Sequence, residues 1–256
     1  TFQIGCESVM TGEIAEFLMK VYLSDEVVQE LIISMPIGVV TQESPTFCDY
    51  GYYALESSDI GNFVTPEYNW IEINPTYGGS GTVIDPVHTT TDGSVAVVDL
   101  PFTFRYFGLD YDQVSICTNG YLSLGYTKTI FFHNRNIPSG VGASAMIAPF
   151  WDDLSSGGVY YKYMPLDHIF IVEWSRMRNS FNYSYETFEV ILYDPAFYPT
   201  YTGDGDIKFQ YSEVHNVDQD NRYATVGIEN EAQSEGLCMT FANIYPPTAH
   251  TLEDSL

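Results

Sequence analysis

Basic residues are scarce in this chain. Nine Lys and Arg stand against 34 Asp and Glu, a formal charge of −25 over 256 residues. Nucleic acid is held by clustered cations that displace counterions, so that class of partner is excluded. No apolar run approaches the roughly 20 residues of a spanning helix, which argues against membrane insertion. The four cysteines, Cys6, Cys48, Cys117 and Cys238, form no Cys-x-x-Cys pair, so zinc-ligand spacing is missing. Two disulfides or four buried thiols both stay open. Cys117, in Val114-Ser115-Ile116-Cys117-Thr118, reads as a core strand position and favours thiols. The serine-hydrolase elbow Gly-x-Ser-x-Gly is absent. His88, His133, His168, His215 and His250 are scattered outside any motif, so neither nucleophile class has its base.

Strand-forming residues are plentiful. Hydrophobic residues make up 45% of the chain and include 21 Tyr and 16 Phe, which suffices for a core and favours β structure over an all-helical fold. Phe2, Ile4 and Cys6 alternate with polar neighbours. Phe17 to Leu23 also alternates, and Val27 to Met35 is apolar on nearly both faces after the Ser24-Asp25-Glu26 turn. The period of two makes residues 1–40 three strands rather than a helix. Tyr68–Ile73 reads as a further strand before the turn-rich Pro75–Gly81. Short strands then follow at Val95–Asp99, Phe102–Tyr106, Val114–Thr118, Tyr121–Leu124, Met146–Phe150, Val159–Tyr163, Ile169–Arg176, Thr187–Tyr193, Asp206–Tyr211, Thr225–Glu229 and Cys238–Phe241. Turn signals separate them at Asn119-Gly120, Gly157-Gly158 and Gly203-Asp204-Gly205. With no segment that could serve as a helical crossover, the expected fold is all-β, an antiparallel β-sandwich or jelly roll.

Two ligand classes have candidate residues. Calcium needs several oxygen ligands, which acidic loops supply: Asp152 and Asp153, Asp204 and Asp206, Asp218 and Asp220. Against this, Asp-Gly is ordinary turn chemistry, and none of these loops completes an EF-hand. Asp152 and Asp153 as adjacent strand residues would point to opposite faces, which argues against paired glycosidase carboxylates. Glycans could stack on the aromatic region of Tyr50, Tyr52, Tyr53, Tyr68 and Trp70. The plainer reading is that Trp70, Trp151 and Trp174 fill the space between the sheets. Asn182-Tyr183-Ser184 is a glycosylation sequon.

Leu100-Pro101-Phe102-Thr103-Phe104-Arg105-Tyr106-Phe107-Gly108, then Tyr111, then Val114 to Gly125 with its Thr118-Asn119-Gly120 core, resembles a nidogen-like module. Ile147-Ala148-Pro149-Phe150-Trp151-Asp152-Asp153-Leu154 continues the pattern. The stretches His168–Trp174, Thr187–Pro195, Gly203–Ile207 and Ala224–Asn230 are similar to β-rich modules of large secreted bacterial proteins. Such modules often accompany gingipain-like or subtilisin-like peptidases, commonly with a C-terminal secretion-sorting domain. The resemblance covers residues 46 to 256, while residues 1–40 resemble only the last strands of an immunoglobulin-like domain.

The expected organisation is therefore residues 1–40 as N-terminal immunoglobulin-like strands and residues 41–256 as the nidogen-like sandwich. The start at Thr1 without a leader reads as a mature or excised piece. The resemblance implies a non-catalytic, extracellular structural or adhesive module of a secreted bacterial surface protein. Its expected partners are other copies of itself, assembled into filaments by strand docking, or other domains of the same longer protein. The alternatives are an accessory domain of a secreted peptidase and a carbohydrate-binding module.

Overall fold

The computed structural model describes residues 14–23, 26–36, 46–57, 59, 65–84, 93–217, 223–247 and 249–255. The chain divides into two compact units, Thr1–Ser44 with Leu55–Glu67, and Pro45–Ala54 with Tyr68–Leu256. In the first, β1 (Ile14–Leu23) and β2 (Glu26–Pro36) form an antiparallel hairpin with Leu18 opposite Ile32 and Lys20 opposite Glu30. The strand expected at Phe2–Cys6 and the turn residues Ser24 and Asp25 lie outside the described residues.

The second unit is an antiparallel sandwich. It opens with the short pair β3 (Thr46–Phe47) and β4 (Tyr53–Ala54). One sheet contains β6 (Val95–Tyr106), β7 (Leu109–Cys117), β8 (Tyr121–Leu124), β9 (Met146–Trp151), β15 (Thr225–Glu229) and β16 (Gly236–Thr240), in the order β16-β15-β9-β8-β7-β6. The other contains β5 (Thr82–Val83), β11 (Gly158–Met164), β12 (Ile169–Asn179), β13 (Tyr185–Tyr193) and β14 (Ile207–Glu213), in the order β14-β13-β12-β11-β5. A short β10 (Leu154–Ser155) also pairs with β12. The fold class is all-β, as the alternation required. The segments expected as separate strands at Val95–Asp99 and Phe102–Tyr106 form one strand, β6, with a register shift between Asp99 and Phe104.

Alternation sets the core. Phe170, Val172 and Trp174 of β12 and Phe188, Val190 and Leu192 of β13 point inward against Phe104, Val114, Ile116, Leu122, Ile147 and Phe150 of the facing sheet. Trp174 stacks on Phe188 with centroids 5.2 Å apart, and Phe150 meets Phe188 at 5.4 Å. Buried aromatic rings with polar tips need acceptors, and they find backbone carbonyls. Trp174 Nε1 donates to Cys117 O at 2.9 Å, Tyr211 OH to Pro149 O at 2.7 Å, and Tyr106 OH to Met146 O at 2.8 Å. Trp174 thus fills the inter-sheet core as expected. Trp151 instead belongs to a second cluster with Cys117, Tyr121 and Met146, and Trp70 lies half-buried in a segment that is not a strand.

That segment corrects the expected strand at Tyr68–Ile73. It is extended but has no ladder. It crosses the outer face of the β12–β13–β14 sheet as a strap, with Ile71 and Ile73 packed over Ile169, Ile171 and Ile191. Local alternation reports an extended backbone, whereas a strand also needs a neighbouring edge. At its end Asn74 caps the 3-10 turn Pro75–Tyr77, with Oδ1 accepting from Thr76 N at 2.9 Å. Gly81 N then donates back to Ile73 O, which returns the chain to the sheet edge as β5.

The Asn119-Gly120 turn fixes the β7–β8 hairpin. Gly120 has φ 77°, and a Cβ there would sit 1.8 Å from Phe150 O, a backbone atom. Gly120→Ala should therefore cost about 3 kcal/mol from strain plus overpacking and lower the melting temperature by roughly 10 °C. Thermal unfolding followed by circular dichroism measures this. A melt within about 2 °C of the parent chain would mean the turn is not held by Phe150.

Candidate functional site

The acidic candidates are placed as structural acceptors. Asp152 is buried; its Oδ2 accepts from Asn179 Nδ2 at 2.9 Å and its Oδ1 from Asp153 N at 2.7 Å. Asp153 is half-buried, and its carbonyl accepts from Ser180 N. Asp204 is buried, with Oδ2 taking the Tyr50 hydroxyl at 2.8 Å and Oδ1 taking Gly108 N at 2.8 Å. Burial, then Asp204 itself, push the Tyr50 phenol up to about 12, so it stays a donor at neutral pH. Asp206 is exposed. Asp218 and Asp220 lie outside the described residues. Among the described residues, no three His, Cys, Asp or Glu side chains gather into a metal-binding group.

The aromatic candidates fall in two places. Tyr52 packs on Phe107 at 4.8 Å and Tyr106 at 5.6 Å, while Tyr53 on β4 is exposed. Tyr68 and Trp70 belong to the strap and are half-buried. Asn182 is half-buried in the β12–β13 turn, where its Oδ1 accepts from Ser184 N at 2.8 Å and from the Ser184 hydroxyl. Cys48, Cys117 and Cys238 are free thiols.

The most concentrated polar chemistry lies under the strap, at residues the sequence reading did not single out. Glu173 on β12, Glu189 on β13 and Gln210 on β14 are cross-strand partners, so they form one row across three strands. All three are fully buried. Asn69 N donates to Gln210 Oε1 at 2.6 Å, Ile71 N to Glu189 Oε1 at 3.4 Å, and Ile73 N to Glu173 Oε2 at 2.9 Å. Alternate amides of the strap therefore meet successive side chains of the row. Gln210 Nε2 also donates to Asn69 O and Glu189 Oε1. These side chains supply the acceptors that a neighbouring strand would otherwise provide.

Glu173 Oε1 and Glu189 Oε2 are buried without a hydrogen-bond partner. Burial pushes Glu173 up to about 7 and Glu189 up to about 8, with Glu72 adding to the first and Glu173 to the second, while Lys208 opposes the latter. A carboxyl that keeps its proton has no charge to desolvate. The signal available in the sequence was Ile169, Ile171 and Ile191 on the same face as the glutamates, which marks that outer face as covered. Two further glutamates behave alike. Burial raises Glu186 and Glu229, which accept from His215 N and Ser139 N.

The sign of the pH dependence follows. Both carboxyls titrate higher in the folded chain than in the unfolded one, so their contribution is fully present below about pH 4.5 and is lost as pH rises through 7 to 8. Stability should fall between pH 5 and pH 9. Glu189→Gln keeps an acceptor for Ile71 N, and it should flatten that fall and raise stability at pH 8 by about 1–2 kcal/mol. Urea unfolding at a series of pH values checks this. An unchanged profile would show that the row is not protonated.

A family model described as NIDO related matches residues 66–254. No curated protein and no solved structure matches the chain.

Proposed function

The chain belongs to the NIDO-related family, and from that premise we propose that it is a non-catalytic, extracellular structural or adhesive module of a secreted bacterial surface protein. In this reading it joins other copies of itself, or other domains of a longer protein, by strand docking. The matched family is a structural-type domain, and no catalytic family is indicated. Side-chain chemistry supports the non-catalytic part. Burial pushes the Cys117 thiol up to about 11, the wrong direction for a nucleophile. His168 stacks on Phe197 at 4.0 Å, and His215 Nδ1 lies 3.1 Å from Tyr185 O, so both rings are engaged in local packing and hydrogen bonding. No helix is long and apolar enough to cross a membrane among the described residues.

The observation that carries the docking part is the β1–β2 hairpin. It is a two-stranded sheet, so each strand has one edge without a described partner. Leu18 is 56% exposed and its cross-strand partner Ile32 is 67% exposed. A two-stranded ribbon is marginal alone, and an added strand supplies both main-chain hydrogen bonds and apolar cover. Used head to tail, that contact propagates into fibres rather than closing into a dimer.

Light scattering after size exclusion tests the reading. The chain should show concentration-dependent assembly, and Leu18→Lys with Ile32→Lys should shift it to monomer while leaving the melting temperature of the sandwich unchanged. A sharp monomer at about 1 mM, with and without calcium, removes the assembly part of the proposal.

A further inference from the structure

The strap covers the outer face of β12 only as far as Ser175, whose Oγ accepts from Asn74 Nδ2 at 2.9 Å. Beyond that point β12 and β13 continue to their turn, and the uncovered end has a different character. A register shift between Trp174 and Met177 places Arg176 at φ 51°, with its N–H donating to Thr187 Oγ1 at 3.1 Å. The bulge re-aims the strand. As a result Met177 and Asn179 turn inward and are buried, while Arg176 and Arg178 both face solvent. The Arg176 guanidinium lies over the Tyr185 ring at 5.1 Å, and that of Arg178 over the Tyr183 ring at 4.5 Å. Tyr183 is 63% exposed and Tyr185 43%.

The turn that presents them is held from below. Asn179 Oδ1 accepts from Phe181 N at 2.8 Å and Asn182 N at 3.3 Å, and Asn179 O accepts from Tyr183 N. Charge makes this end unusual. The chain has nearly four acids for every base, and this end carries two of its nine bases two residues apart on one face. Arg176 and Arg178 have no ion pair and no side-chain hydrogen bond among the described residues; the tyrosine rings are their contacts. Ring stacking occupies the face of a guanidinium and leaves its edge donors pointing outward, with part of the ordering entropy already spent.

We propose that this pair of stacked arginines is a docking site for an extended acidic peptide with carboxylates on alternate residues. Arg176 and Arg178 are two positions apart on one strand, so their Cα atoms are spaced by about 6.8 Å. An extended peptide carries its i and i+2 side chains at the same spacing. Each guanidinium edge takes one carboxylate in the two-bond geometry that arginine favours. A sugar acid would stack on an open ring face, and here the guanidinium already lies on one face of each tyrosine.

The probe is a fluorescein-labelled hexapeptide of alternating Thr and Glu, titrated by anisotropy at 0.15 M salt, where charges beyond about 8 Å are screened. Binding in the range of about 10–100 µM is expected, with a block peptide of three Glu followed by three Thr weaker. Arg176→Gln with Arg178→Gln should weaken binding at least about 10-fold. Arg176→Lys with Arg178→Lys keeps the charge, loses the fork and should weaken it about 5-fold. Both side chains are exposed, so the variants should melt with the parent chain. Independently of any variant, the Arg Nε–H resonances of 176 and 178 should shift on addition of the peptide to the unaltered chain. No binding below about 1 mM, equal binding by the Gln variant, or no movement of those resonances would overturn the proposal. Binding of an oligogalacturonate through these arginines in place of the peptide would overturn it equally, assigning the face to a glycan.

Discussion

The constraint on which the second sheet depends is the supply of hydrogen-bond acceptors to a chain lying across its face. An extended segment running over three strands cannot join their ladder, so its amides would be buried without partners. The row Glu173, Glu189 and Gln210 removes that cost, because cross-strand pairing lines up three acceptors for Ile73, Ile71 and Asn69. The cover is worth having because it buries Ile169, Ile171 and Ile191 under Ile71 and Ile73. An ionised pair there would forfeit much of the gain, and burial instead moves both acids toward their neutral, amide-like form.

The opposite sheet meets the complementary demand, mostly by donating to the carbonyls of its cover. Over β8, β9 and β15 its outer face is covered by the loop between β8 and β9, and side chains there bond to loop backbone. Trp151 Nε1 donates to Phe131 O, Tyr121 OH to Thr129 O, and Ser123 Oγ to Ser144 O, while buried Glu229 accepts from Ser139 N. Covered on that side and packed on the other sheet, β8 and β9 are buried at every residue. The family match begins at residue 66, just ahead of the strap, so the strap lies within the matched module.

How much of this was legible follows from what local sequence encodes. The inward positions of Phe170, Val172 and Trp174 were readable, because a period of two fixes which side chains share a face. Tyr68–Ile73 was readable as extended and unreadable as a strap, because its partners lie about 100 residues or more away. Glu173 and Glu189 sat at the alternate positions of otherwise apolar strands, where the ordinary inference is solvent. Only their isoleucine neighbours spoke against it. Asp152 and Asp204 illustrate a different limit. A carboxylate that will accept two amides or a phenol has the same sequence surroundings as one that will hold a cation, and Asp-Gly turns serve both.

The cover over the middle of each sheet also determines where partners can meet the sandwich. Loops occupy the middle of the broad surfaces, so strand polarity is accessible at the edges and at the ends of hairpins that outrun their cover. One edge of the second sheet is β5, two residues long, which offers little to an incoming strand. The β12–β13 hairpin does outrun the strap, and past Ser175 its outward positions change from Ile and buried Glu to Arg and Tyr. The bulge at Arg176 marks that boundary: before it the outward residues serve the strap, and after it Arg176 and Arg178 face solvent, stacked on Tyr185 and Tyr183. The inserted residue lets one segment do two jobs, with Met177 and Asn179 anchored inward while Arg176 and Arg178 face solvent. The division between buried acids under the strap and stacked bases beyond it is thus set by where Asn74 ends its contact with Ser175.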